Sequence, residues 1–386
     1  MRTIVLFLVL LACNAKSQDI DTKSVVKIYS IKQGYDYFQP WQKLEQSKSS
    51  GSGCIIENNR IITNAHVVSN ATFIEVRKAG DAKKYSAEVE FIAHDYDLAI
   101  LIINDSKFFD QAKPIDVGGI PVVRDNVAIY GFPKGGDKLS ITEGVVSRIE
   151  FNRYVHSGAS HMLIQTDASI NPGNSGGPVI MDDKLVGIAF QGISYSQSIG
   201  YFIPTTLIRH FLNDIEDGRY DGLPKAGFGY QKIENSTMKM FYKMKPEESG
   251  IRVSYVAPPD VSMLDYLEKE DIILKIDGEN IERDGTYVFR GEERISLNNL
   301  IQEKRIGDSI EYEIIRNGER KEINGKLKSV DLGSGRLVGL VEYDSQPEYK
   351  IKGGMVFMPL TKNYYYRFGK NRPKILESPI YWSVKN

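Results

Sequence analysis

Between residues 51 and 203 the apolar positions fall in short runs, at 72–77, 85–93, 98–103, 126–131, 140–149, 162–166, 177–181, 185–190 and 199–203. Gly, Asn, Asp and Pro separate them, and no long helical period intervenes. Regularly spaced short strands of this kind predict β-barrels or a sandwich. Ser24–Ser30 alternates well enough to add a strand in front. Residues 32–50 read as loop, with Tyr35, Tyr37, Phe38 and Trp41 expected to fill a local hydrophobic pocket. The period changes at Thr205–Asp217, where Leu207, Ile208, Phe211, Leu212 and Ile215 line one face of a helix. Pro204 suits its first turn and Gly218 its end.

A linker at 219–224 leads to a second unit at 225–328. Strands are predicted at Ile251–Val256, Asp271–Ile276, Ser309–Arg316 and Glu319–Leu327. Asn317-Gly318 makes a tight hairpin of the last two. Ile295, Leu297, Leu300 and Ile301 predict a short amphipathic helix. Residues 330–386 are harder to assign: one apolar stretch, Gly353–Leu360, precedes a tail rich in Tyr, Lys and Pro.

A chain of 386 residues suits two or three domains, and its net charge of −1 comes from acidic and basic residues mixed along the length. Nothing concentrates a basic face, which argues against a nucleic-acid partner. Of the two cysteines, Cys13 lies in an N-terminal leader and Cys54 reads as a buried strand residue. No disulfide staples the folded part and no Cys/His set has zinc-ligand spacing, so neither metal nor cofactor is expected. Residues 1–17 combine Arg2, an apolar run too short to span a bilayer, and small residues, as in a secretory signal. Ala15-Lys16-Ser17 offers a cleavage site. Leu10-Leu11-Ala12-Cys13 competes as a lipobox, with membrane attachment only if Cys13 is acylated.

The candidate chemistry centres on Asn171-Pro172-Gly173-Asn174-Ser175-Gly176-Gly177-Pro178. Glycines here permit backbone angles that lift Ser175 into a cleft and aim the Gly173 and Ser175 N–H groups at one point. Serine needs a base and the base needs an orienting group. His66 follows the apolar run Ile61-Ile62, and Asp97 precedes Leu98–Ile102. A Gly-rich turn, a structural histidine and a turn aspartate are the plainer readings of each alone; the joint order His, Asp, Ser in three strand contexts favours a triad.

Thr63-Asn64-Ala65-His66-Val67-Val68, Asp97–Leu101 and Gly173–Pro178 resemble the HtrA/Deg serine proteases. Gly131–Asp137, Ile141–Ile149 and Asp284-Gly285-Thr286 with Phe289-Arg290 resemble the plant-type Deg branch with tandem PDZ modules. The resemblance implies a mainly β fold: a chymotrypsin-like double β-barrel, a PDZ domain and a partial second PDZ-like segment. The expected bounds are 1–17 leader, 18–220 protease, 221–329 PDZ, and 330–386 incomplete PDZ-like segment or tail. It implies catalysis by His66, Asp97 and Ser175, with an oxyanion hole at Gly173, Asn174 and Ser175. A substrate pocket is expected at Phe190, Gln191, Gly200 and Tyr201; with no acid in those strands it should prefer apolar residues. Gly227, Phe228, Gly229 and Tyr230 are the expected carboxylate-binding loop of the PDZ groove, a closed spacer being the alternative. His156 and His161 fall in the stretch where the family has a regulatory loop and are expected to be solvated.

As partners the resemblance implies unfolded or C-terminal peptide segments and a trimer-based homo-oligomer, with the aromatics at 35–41 as a minor candidate contact. The expected function is protein quality control in an extracytoplasmic compartment, periplasm or cell envelope. A peptide-binding chaperone with latent proteolysis and a non-proteolytic envelope protein are the alternatives, the last disfavoured by a complete triad.

Overall fold

The computed structural model describes residues 20–192, 199–256, 266–327 and 341–369. The leader, with both its processing routes, and most of the tail lie outside them.

The first six strands are β1 Val25–Lys32, β2 Ser47–Ile56, β3 Arg60–Thr63, β4 Ala71–Lys78, β5 Tyr85–Ala93 and β6 Leu98–Ile102. They close into a barrel in the order β1-β2-β3-β6-β5-β4. The next six, β7 Asn126–Gly131, β8 Ser140–Arg153, β9 Ser160–Thr166, β10 Pro178–Met181, β11 Lys184–Gly192 and β12 Gly200–Pro204, close a second, in the order β10-β11-β12-β9-β8-β7. Every pairing around both barrels is antiparallel, as chain-sequential strands with short turns allow.

Strands β3, β6, β7 and β12 read as nearly unbroken apolar runs because both of their faces are covered, whereas β4, β5 and β8 leave part of one face to solvent. Val26, Ile28, Ile61 and Leu101 fill the inside of the first barrel. Their neighbours Val25, Ile62 and Ile100 face outward, into a layer shared with Tyr130, Phe132 and Leu185 of the second. In that barrel Val127, Ile129, Val186 and Phe202 turn inward while Ala128 and Tyr130 join the shared layer. The strand period of two thus divides each strand between a barrel interior and the seam between barrels. The helix Thr205–Asp214 lays Leu207, Ile208 and Phe211 against the seam, and Gly218 follows in left-handed backbone at φ 87°. Cys54 is fully buried there, and burial pushes its thiol up.

The PDZ domain follows. Its sheet runs β13 Phe228–Lys232, β14 Ile251–Val256, β15 Ile272–Ile276, β19 Ser309–Arg316 and β20 Glu319–Lys326, with the short β16 Glu279–Asn280 on β15. Asn317 and Gly318, at φ 55° and 80°, make the predicted tight hairpin. Three features differ from expectation. The helix expected from Ile295 onward covers only Asn298–Gln302; Ile295 instead belongs to a hairpin, β17 Thr286–Arg290 with β18 Glu293–Ser296. A further short helix occupies Ser236–Phe241. In the barrel, β2 already begins at Ser47, because residues 47–50 extend the ladder to β1.

The domain is tied to the second barrel. Met162 of β9 lies in its core beside Ile295 and Ile301. Gln302 bonds His161 and the Ser160 carbonyl, and Arg290 donates to the carbonyls of Ile120 and Pro121. Residues 341–369 add the exposed hairpin β21 Lys350–Lys352 with β22 Met355–Phe357 and the helix Lys362–Arg367. They pack on the aromatic loop of the first barrel: Phe38 sits edge-on to Tyr364 and Phe368, and Trp41 to Tyr349. The pocket expected for those aromatics is therefore formed with a distant part of the same chain.

Inside the PDZ sheet the Arg316 guanidinium binds both oxygens of Asp271, at 2.8 and 2.7 Å, and Asp271 is 1% exposed. Truncating Arg316 leaves a buried carboxylate without its counter-charge. Arg316→Ala should cost the PDZ domain about 3 kcal/mol in urea unfolding of the full chain; a loss of only a few tenths would contradict this role.

Candidate active site

His66 enters from a single helical turn, Ala65–Val68, that follows β3; Asp97 lies immediately before β6. Because β3 and β6 are paired, with Thr63 opposite Ala99, the two side chains meet at the same end of the barrel. Asp97 closes a turn in left-handed backbone at φ 57°, its N–H donating to the His94 carbonyl. That conformation suits aspartate better than most residues. The Asp97 carboxylate is fully buried; one oxygen accepts the His66 backbone N–H at 2.7 Å and the other lies 2.6 Å from Nδ1 of the ring. Asn64, also buried, donates to the Asp97 carbonyl. The imidazole is thereby fixed by its Nδ1 side, and the side chain is 35% exposed toward the cleft.

The serine loop comes from the second barrel, and the first holds it in place. Ser52 of β2, fully buried, donates its N–H to the Ser175 carbonyl at 2.8 Å and its hydroxyl to the Gly173 carbonyl at 2.7 Å. The same hydroxyl accepts the Phe132 N–H. Lys134 donates to the Pro172 carbonyl, and Gly176 and Gly177 exchange bonds with Ala189 of β11. Two glycines are obligatory here. A Cβ on Gly173, at φ 102°, would meet the Phe132 carbonyl oxygen at 2.4 Å; one on Gly176, at φ 85°, would meet the Ser52 carbonyl oxygen at 2.1 Å. Among the described residues the N–H groups of Gly173 and Ser175 donate to no protein acceptor, whereas the Asn174 N–H is used, bonding the Asn171 carbonyl at 2.9 Å. The Asn174 side chain is buried against Gly131.

The three expected triad residues therefore converge on one cleft, but Ser175 is not joined to His66. Its hydroxyl donates to the Phe190 carbonyl at 3.2 Å, and the Phe190 ring stands edge-on to His66 at 6.5 Å. Of the expected pocket residues, Phe190 and Tyr201 are buried on neighbouring strands, with Gln191 opposite Tyr201 and Gly192 opposite Gly200. The Tyr201 hydroxyl lies at 3.4 Å from Arg148 and from Gln165. The expected carboxylate loop is corrected: only Gly227 is in left-handed backbone, while Phe228, Gly229 and Tyr230 form the edge strand β13. Phe228 and Tyr230 alternate onto the PDZ core, which holds the segment extended.

The expectation of solvated histidines at 156 and 161 also fails. His161 lies in β9, 3% exposed, between Tyr154 and Gln302. His156 packs among His66, His94 and Tyr343, with ring centroids at 6.1, 5.3 and 5.0 Å. Burial pushes its imidazole down to about 4, with His94 and His66 adding to the effect and Asp97 opposing it, so it is neutral at neutral pH. Ser52 was missed because a serine in Gly51-Ser52-Gly53 carries no local signal for a bond to residue 173. The histidine cluster was missed because its members, His66, His94 and His156, lie on three segments far apart in sequence.

Comparison with known proteins agrees with this geometry. Residues 51–188 match the trypsin-like peptidase domain family; residues 338–385, the segment expected to be an incomplete second PDZ-like unit rather than the sheet at 228–327, match the PDZ domain family. The chain is 42% identical to the mitochondrial protease Do-like 4 of Arabidopsis thaliana, over 91% of its own length and 67% of that protein's. It is 40% identical to the chloroplastic protease Do-like 2 of the same plant, over 88% of this chain and 56% of that one. A serine protease DegP homolog of Plasmodium falciparum is 31% identical over 89% of this chain and 51% of its own. The chain thus spans from about half to two thirds of these relatives. Among solved structures, an HtrA-type protease AlgW with tripeptide superposes at TM-score 0.61 with 25% identity, covering 80% of this chain and 94% of that one. The organellar names of the plant relatives overturn the expectation of a periplasmic or cell-envelope location. Two six-stranded barrels meeting at a His–Asp pair and a glycine-bounded serine, together with these likenesses, place the chain in the HtrA/Deg family of Do-like serine proteases.

Proposed function

We propose that this chain is a serine endopeptidase of protein quality control that cuts unfolded or misfolded polypeptides, with Ser175 as nucleophile, His66 as base and Asp97 as its orienting carboxylate. The observation that carries the reading is the 2.6 Å contact of the buried Asp97 carboxylate with Nδ1 of His66. It leaves Nε2 as the nitrogen available to a substrate-bound serine. In that role His66 takes the Ser175 proton as the hydroxyl attacks a peptide carbonyl, and returns it to the leaving amine. Asp97 stabilises the imidazolium. The N–H groups of Gly173 and Ser175, which meet no protein acceptor among the described residues, are the donors for the tetrahedral oxyanion. Water then releases the acyl group from Ser175.

Substrate segments would add to the PDZ sheet along β13, which is an edge strand. The tripeptide held in the AlgW structure supports a peptide ligand of this kind. The names of the plant relatives support an organellar address, and the family resemblance supports a trimer-based homo-oligomer.

One observation favours a second reading, a peptide-binding protein with latent proteolysis: the Ser175 hydroxyl is engaged by Phe190 rather than by His66. The two readings separate in a fluorogenic casein assay. Under the first, the purified chain cleaves casein and Ser175→Ala lowers kcat by a factor on the order of 10⁴ or more; cleavage that survives the substitution unchanged overturns it. Ser52→Ala should leave the barrels folded but release the Gly173 carbonyl, lowering kcat about 10- to 100-fold with little change in KM. An unaltered kcat would remove Ser52 from the machinery.

A further inference from the structure

Beside His66 the cleft rim already holds an aromatic–acidic pair. Tyr343 stacks flat on His94, with ring centroids 4.1 Å apart and planes at 11°, and its hydroxyl donates to the His156 carbonyl at 3.0 Å. Asp344 follows. One of its oxygens accepts the Ser69 hydroxyl at 2.7 Å and the Asn70 backbone N–H; the other takes Nε2 of His94 at 2.8 Å. The second nitrogen of His94 is 3.0 Å from Nε2 of His156, which carries the contact to within one ring of His66. Lys32 donates to the His66 carbonyl; burial pushes its ammonium down, and the Asp344 and Asp97 charges oppose that.

All of these partners belong to the first barrel or the loop after β8, at sequence separations of 187 to 275 residues. A tyrosine ring on a flat histidine face and a carboxylate with three donors are how a binding site reads a peptide, not how a linker crosses a surface. The pair sits on the turn that ends in Asp97, and the Asp344 side chain is 31% exposed, so it can leave without unfolding the barrel.

We propose that the rim formed by His94, His156, Ser69 and Asn70 is a substrate subsite for an aromatic–acidic side-chain pair, occupied in the resting chain by its own Tyr343–Asp344. The proposal rests on the reading of Ser175, His66 and Asp97 as the catalytic centre. The strap is an internal competitor: a polypeptide running past His66 must displace it, and one that presents the same chemistry binds in its place.

The test uses the full chain with Tyr343→Ala and, separately, Asp344→Asn. Each should hydrolyse unfolded casein about tenfold faster than the parent, a shift expected when a charge-assisted contact that competes with substrate is lost. A peptide of sequence Glu-Tyr-Asp-Ser, as at residues 342–345, should inhibit each variant more strongly than the parent, and its Tyr→Ala version should not. Melting temperatures within two or three degrees of the parent would show that the variants are folded. Rates at or below the parent's in both folded variants, or equal inhibition by the two peptides, overturn the proposal. Fluorophosphonate labelling read at Ser175 separates the two levels. Labelling of parent and variants with no change in hydrolysis sinks the subsite alone; no labelling of any of them sinks the catalytic reading and the proposal with it.

Discussion

The structure depends on one bridge across the seam. Ser52, on the first barrel, holds the carbonyls on either side of Asn174 in the second, through its N–H to Ser175 and its hydroxyl to Gly173. Apolar surface shared between the barrels is non-directional; Lys27 and Arg77 of the first barrel add directed bonds to Gly136 and Asp137 of the second, and Ser52 supplies the one that reaches the serine loop. The cleft needs a particular alignment. His66 and Asp97 are fixed by the β3–β6 ladder, and Ser175 only by a loop. Ser52 turns hydrophobic adhesion between the barrels into a defined position for the glycine turn; its backbone leaves no room for a Cβ on Gly176, and the Phe132 carbonyl leaves none on Gly173.

That same geometry accounts for what is readable from sequence. The barrels were legible because strands such as β3, β6, β7 and β12 are buried on both faces, so their apolar runs are continuous and the turn residues between them stand out. The helix after the second barrel and the Asn317-Gly318 hairpin are local events with local signatures. His66, Asp97 and Ser175 each abut a strand end, where a polar residue beside an apolar run is conspicuous. The resemblance to a family supplied the expectation that they converge.

What was not legible is long-range. The burial of His156 and His161 is decided by Tyr343, His94 and Gln302, which nothing near residues 151–161 specifies. Ile295 has helical spacing to its apolar neighbours, yet pairs with Tyr287 in a hairpin, because tertiary pairing outweighs a short amphipathic pattern. Gly227–Tyr230 looked like a loop for its glycines; Phe228 and Tyr230 draw it into the sheet. The loop aromatics at 35–41 found their cover on the tail. In each case the deciding contact joins segments far apart in sequence.

In the structure the Asp97 carboxylate holds Nδ1 of His66, the Ser175 hydroxyl rests on the Phe190 carbonyl, and among the described residues the N–H groups of Gly173 and Ser175 meet no protein acceptor. The most direct measurement is a structure of the chain reacted with a peptidyl phosphonate. The account predicts a bond from phosphorus to Ser175 Oγ, with the phosphonyl oxygen within hydrogen-bonding distance of the Gly173 and Ser175 N–H groups and Nε2 of His66 at the leaving side. An adduct on another residue, or one whose oxygen points away from those two donors, would contradict it.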